Sequence, residues 1–154
     1  MLDVFRQRRA IRSFQARQPN GEDLTDILAA ANSAPSAGGL SAREISVVTN
    51  QAIKQRLAAA AYGQDFVAEA PIVLVFWAVP ARSAAKYGER GRGLFALQDG
   101  TIAAAFAWLQ AVGSGLGACW VGAFDNEAVK QIFGSEIGRG WCPVALLPLG
   151  YAAE

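Results

Sequence analysis

From Ile102 to Leu109 the chain reads Ile-Ala-Ala-Ala-Phe-Ala-Trp-Leu, about two helical turns without a polar residue. The run sits inside Leu94–Val112, the longest stretch compatible with helix, which would extend about 28 Å. A helix that is apolar nearly all round is buried on every side, so the pattern predicts a central helix enclosed by other elements. Its alanines let a second backbone approach closely. The whole chain has 154 residues, 53% of them hydrophobic and only 18% charged. That is more apolar surface than one small domain readily hides, and obligate dimers commonly bury such an excess. The expectation is therefore a homodimer built from one domain spanning residues 1–154.

Composition also excludes several chemistries. A domain of this length buries roughly 70% of its unfolded surface and needs no disulfide or metal staple. The chain has no histidine, which removes histidine triads, histidine proton shuttles and most transition-metal sites. A net charge of +1 gives no reason to expect nucleic acid or an anionic membrane as partner. Cys119 and Cys142 lack CxxC spacing and read as reduced, apolar thiols of a cytoplasmic protein. The first residues are charged where a signal peptide needs an apolar stretch, and no apolar run reaches the roughly 20 residues that span a bilayer.

Along the chain, periodicity and turn residues predict alternating elements. A weak helical pattern over Met1–Arg9 precedes a helix over Glu22–Asn32, and Ala34–Gly39 forms a loop of small residues. A strand at Glu44–Thr49 and a helix at Gln51–Ala61 follow. Pro71 opens the run Ile72–Trp77, read as a buried central strand. Pro80–Gly93 is polar and glycine-bearing and reads as a mobile connector or lid. After the long helix come a strand at Ala118–Val121, a helix at Asn126–Phe133 capped by Asp125, and a last strand at Val144–Tyr151. The resulting expectation is an α+β fold, a mixed sheet flanked by helices.

Four segments invite a functional reading. Gly113-Ser-Gly115-Leu-Gly117-Ala118 fits the GxGxxG/A fingerprint by letter. That fingerprint needs a strand before it and a helix after it. Here the order is reversed, so it reads as a glycine-rich helix end entering a strand. Arg8-Arg9-Ala10-Ile11-Arg12-Ser13-Phe14 can converge guanidinium forks on a phosphate, or it is simply a solvated basic face. Pro35-Ser36-Ala37-Gly38-Gly39 either lets a flat ligand lie against backbone or ends a helix. Trp120-Val121-Gly122-Ala123 could expose an amide beside a ring nitrogen. Gln98 and Asp99, at the polar head of the long helix, either line a slot or are solvated side chains of a helix start.

In this order and spacing, from Arg8 to Tyr151, the segments resemble the nitroreductase-like family of flavin mononucleotide (FMN) proteins. The resemblance implies a long central helix at a dimer interface, with FMN held between two subunits. It implies that Arg8, Arg9 and Arg12, with Ala10 among them, hold the FMN phosphate and the pyrimidine side of the flavin. Pro35, Ser36, Ala37 and Gly38 would come from the opposite subunit. Trp120, Val121, Gly122 and Ala123 would cover the other face, with the Gly122 amide near N5. The implied activity is transfer of electrons from NAD(P)H to a small acceptor such as a nitroaromatic or quinone, by a ping-pong cycle. An FMN-binding or storage protein and an FMN-dependent dehydrogenase are the alternatives. Three departures stand out: Ala10 where many members have serine, Gly39 where asparagine is frequent, and an end at Glu154 where many continue.

Overall fold

The uninterrupted apolar run after Pro71 becomes the centre of a sheet covered on both faces. The structure is a computed structural model and describes residues 1–153. In chain order its elements are α1 (Asp3–Gln7), α2 (Gly21–Ser33), β1 (Arg43–Val48), α3 (Gln51–Ala60), α4 (Phe66–Glu69), β2 (Ile72–Ala78), α5 (Pro80–Arg90), α6 (Ala96–Gly113), β3 (Gly117–Ala118), α7 (Asn126–Phe133) and β4 (Cys142–Gly150). Side-chain caps start three of the helices. Asn20, Asn50 and Asp125 accept from the amides of Asp23, Ile53 and Ala128 at 2.7, 3.1 and 2.9 Å. Each cap satisfies an amide that the first helical turn leaves without a partner.

The strands pair in the order β1-β2-β4-β3, every named pair antiparallel. Among the described residues the parallel contact is a single isolated bridge between Ala10 and Ala118, outside the named strands, so the four-stranded sheet itself is antiparallel rather than mixed. Strand alternation sorts β2 between two cores. Ile72, Leu74 and Phe76 pack with Ala103, Ala104 and Ala107 of α6 and with α2. Val73, Val75 and Trp77 pack against α3 and α7, where Trp77 meets Phe133 edge-on at 5.1 Å. Helices on one face and helices on the other give the α+β arrangement read from the sequence. Among the described residues no helix is long and apolar enough to cross a membrane.

Three local expectations are corrected. Pro80–Gly93 is not a connector: it is the helix α5 followed by a π-helical turn at Gly91–Phe95 that runs into α6. Proline at the first helical position is favourable there, and helical structure continues from Pro80 to Gly113, 34 residues, with a kink at Gly88. The segment Ala118–Val121 is not one regular strand: β3 ends at Ala118, and beyond it the chain meets β4 through the Cys119 amide, which donates to the Pro148 carbonyl at 3.2 Å, and through a Val121–Leu146 bridge. Finally, α6 is not enclosed within one chain. Ala103, Ala104, Ala107 and Ala111 are fully buried, whereas on the face turned away from them Gln98, Thr101 and Ala105 are exposed and Ile102 and Leu109 only half-buried. A helix lying on a sheet covers that sheet with one face only, so the opposite apolar face is left open.

Candidate functional site

The chain after α1 is extended and lies beside β3. Ala10 bridges Ala118, and the Ile11 amide donates to the Ala118 carbonyl at 3.0 Å. This approach depends on Gly117, because a Cβ there would sit 2.7 Å from Ile11 Cγ1. Alternation along the extended segment then turns Ile11 onto the sheet edge and Ala10 and Arg12 away from it, and Arg8 and Arg9 are exposed as well.

Two of these arginines rest on aromatic rings. The Arg8 guanidinium lies 4.6 Å from the Trp108 ring centroid, and that of Arg12 lies 5.9 Å from Phe66. Among the described residues no ion pair involves Arg8, Arg9 or Arg12. Aromatic faces thus orient two of the forks without neutralising them, so their N–H donors stay available to an anion.

The second segment leaves β3 alongside. Val121 is buried and exchanges both backbone bonds with Leu146, at 2.9 and 3.0 Å. This anchor projects Gly122 and Ala123 to the surface, with Trp120 half-buried. Arg8 and Trp120 line one cleft of about 310 Å³, together with Phe5, Ala105, Trp108 and Leu109. Arg8 and Trp120 are therefore brought together, while Arg9, Arg12, Val121, Gly122 and Ala123 do not line this cleft. Trp108, which no sequence pattern singles out, stands in the wall between Arg8 and Trp120, and its buried Nε1 has no hydrogen-bond partner. Behind the arginines, burial pushes the Cys119 thiol above its ordinary value, and the neighbouring Arg12 pulls the other way. A raised thiol is a poor nucleophile. Both cysteines are free.

Pro35, Ser36 and Ala37 line a different cleft, of about 240 Å³, with Phe95, Gln98, Asp99 and Ile102. Gly38 is exposed in the same 3₁₀ turn. Gln98 is solvated, as a helix-start residue would be. Asp99 is not: it is 2% exposed, and its two oxygens accept from the Ala37 and Ala42 amides at 3.1 and 2.9 Å. Nearby, Arg43 is also buried and donates through Nη2 to the carbonyls of Asn32 and Ala34. Burial lowers the Arg43 pKa, and the Asp99 charge opposes that shift.

The two clefts share no residue, yet both open along α6, one at Gln98–Ile102 and the other at Ala105–Leu109. Asp99 and Trp108 are about 13 Å apart along the helix axis. One chain therefore brings Arg8 and Trp120 together, but not the Pro35–Gly38 loop with them. The Gly113–Ala118 run is the helix end and short strand expected of it, with Gly115 at φ 77° between them.

Comparison with known proteins agrees with this architecture. Residues 5–64 and 59–151 match the family model described as the Nitroreductase family. A Thermus thermophilus protein named NADH dehydrogenase is 33% identical over 176 residues, covering 96% of this chain and 84% of that protein. The crystal structure of a nitroreductase family protein from Clostridium novyi NT superposes with a TM-score of 0.86 at 25% identity, covering 99% of this chain and 84% of the other. An FMN-dependent nitroreductase from Clostridium difficile R20291 gives 0.84 at 25% identity, covering 100% and 88%. The family model spans the basic segment, the small-residue loop, the central helix and the final strand alike, and by that match the chain belongs to the nitroreductase family.

Proposed function

We propose that this chain is a single-domain FMN oxidoreductase that takes electrons from NAD(P)H and delivers them to a small acceptor, a nitroaromatic or a quinone. It works as a homodimer in the cytoplasm, with two cofactor sites shared between subunits. The observation that carries this reading is the division of the candidate residues between two clefts on one open, apolar helix face. A second copy of α6 laid against that face covers Ile102, Ala105 and Leu109. It also brings the partner's small-residue loop towards the cleft of Arg8 and Trp120.

The residues present suit a flat ring carrying a phosphate. Guanidinium groups without carboxylate partners can bind phosphate oxygens bidentately, and an exposed glycine beside Trp120 leaves backbone open to a ring. In this reading Arg8, Arg9 and Arg12, with the Ala10 backbone between them, hold the phosphate and the pyrimidine edge. Trp120, Val121, Gly122 and Ala123 cover one face of the ring, with the Gly122 amide as a donor to it. Pro35, Ser36, Ala37 and Gly38 approach from the partner. FMN, when bound, supplies the two-electron chemistry that no side chain of a histidine-free protein need perform. The protein's own work is to bind, to orient, to place positive charge near the pyrimidine edge, and to keep an apolar slot dry.

Donor and acceptor compete for that one slot, so they bind in turn. Purified protein should carry a flavin absorbance band, and the released flavin should be FMN. NAD(P)H should be consumed rapidly only when an acceptor is present. Double-reciprocal plots at several acceptor concentrations should be parallel. Intersecting lines would defeat the shared slot, and absence of FMN binding would defeat the reading as a whole.

A further inference from the structure

We propose that Asp99 is a positioning residue for the cofactor site of the other subunit: it clamps the Pro35–Gly38 loop in the shape in which that loop meets the partner's flavin. This inference rests on the shared-site reading above. Asp99 sits in the first turn of α6, 62 residues from Ala37 and 57 from Ala42 in sequence. Its two oxygens take the Ala37 amide, inside the loop, at 3.1 Å and the Ala42 amide, four residues beyond it, at 2.9 Å. One further bond, from the Ser41 amide to Ser36 Oγ at 2.9 Å, closes the loop on itself. From the other side Arg43 holds the carbonyls of Asn32 and Ala34 at 2.9 and 3.1 Å.

One amide of the loop and one just beyond it are thus held by a buried anion, and the entry to the loop by a buried cation. Both are 5% exposed or less. Two charged groups buried this deeply are costly to keep unless their geometry is well satisfied. Asp99 satisfies its own by accepting charge-assisted bonds from two backbone donors. An isosteric amide cannot do the same. It has one oxygen, and its NH₂ group would face an N–H donor.

Asp99→Asn should therefore loosen the loop while leaving the sheet and α6 intact. In cofactor-free protein, hydrogen exchange at the Ala37 and Ala42 amides should speed up, with β2 and β4 amides unchanged. FMN affinity, read by quenching of flavin fluorescence, should fall about tenfold, the effect of losing one charge-assisted bond. Unchanged exchange at both amides, or unchanged affinity despite faster exchange, would overturn the proposal. Should Asp99→Asn not fold, Ala37→Pro carries the test. It removes one donor, and Ser36 before it is already extended at φ −141° and ψ 153°. Weaker FMN binding with faster Ala42 exchange supports the clamp, and wild-type values for both overturn it.

A mixed dimer separates this inference from the reading it rests on. One subunit carries Arg12→Ala and the other Asp99→Asn, each under its own affinity tag. Shared sites concentrate both defects in one of the two sites, so the mixed dimer should regain one tight FMN per dimer. No regained site, with each homodimer still weak, means that loop and arginines act within one chain. The shared-site reading then fails, and the trans role of Asp99 with it.

Discussion

Replacing Gly117 by alanine tests how the basic segment is held without altering any charge. A Cβ at Gly117 would lie 2.7, 2.9 and 3.0 Å from Ile11 Cγ1, Cβ and Cγ2, where ordinary carbon contacts are about 3.5–4.0 Å. Because Ile11 Cβ is itself too close, no rotamer of Ile11 relieves the contact. The backbone of the segment has to move by several tenths of an ångström or more. That movement strains the 3.0 Å bond from the Ile11 amide to Ala118. Overpacking costs about 1–3 kcal/mol and a lost backbone bond about 0.5–1.5 kcal/mol. Together these put the loss at about 2–4 kcal/mol, a fall in Tm of about 5–15 °C for a chain of this size. Circular-dichroism melts of cofactor-free protein at one fixed concentration measure it. Gly21→Ala is the control, since nothing lies within 4 Å of a Cβ there. FMN affinity should also fall in Gly117→Ala, because Arg8 and Arg12 flank the displaced residue. A Gly117→Ala protein that melts with the wild type and binds FMN equally well would refute the packing argument.

Other outcomes follow from the same geometry. Arg8→Ala or Arg12→Ala should weaken FMN binding by about 1.5–3 kcal/mol, roughly ten- to hundredfold; full affinity in both would make the arginines a solvated face. Cys119→Ala and Cys142→Ser should leave flavin reduction by NAD(P)H intact apart from stability losses, and failure of reduction with FMN normally bound would give the thiol a role. A Cβ at Gly122 would lie 3.1 Å from Trp120 Nε1, so Gly122→Val should bind FMN worse or reduce it more slowly while folding about as well. A wild-type reduction rate in that variant, seen by stopped-flow absorbance, would put the ring elsewhere.

Local signals carried much of the fold. The helix Asn126–Phe133 was legible to the residue, because Asp125 caps it and its apolar positions recur at helical spacing. The central strand was legible because an apolar run of β-branched and aromatic residues with one leucine, opened by proline, has few other uses. The segment Pro80–Gly93 was misread because its glycines looked like breakers. Gly91 is instead a close-approach residue: a Cβ there would sit 2.5 Å from the Ser83 carbonyl oxygen, so glycine lets the π-helical turn pack onto α5. Such a contact is tertiary and leaves no periodic trace.

The site divides in the same way. Arg8, Arg12 and the Trp120–Ala123 run were legible as segments, and their nearness follows from the pairing of Ala10 with Ala118. The contacts of Asp99 and Trp108 were not legible. Each depends on a partner far along the chain, Asp99 on Ala37 and Ala42, Trp108 on Arg8. The apolar character of Ile102–Leu109 was plain in the sequence, but which face the sheet would leave open was not.

Mass and flavin content, measured together on freshly purified protein, decide whether a dimer with shared FMN sites exists. Light scattering across a size-exclusion peak gives the mass, and visible absorbance across the same peak gives the cofactor. One peak at twice 16.2 kDa is expected, with FMN co-eluting throughout it. A stable monomer that carries FMN at full occupancy would contradict the shared site.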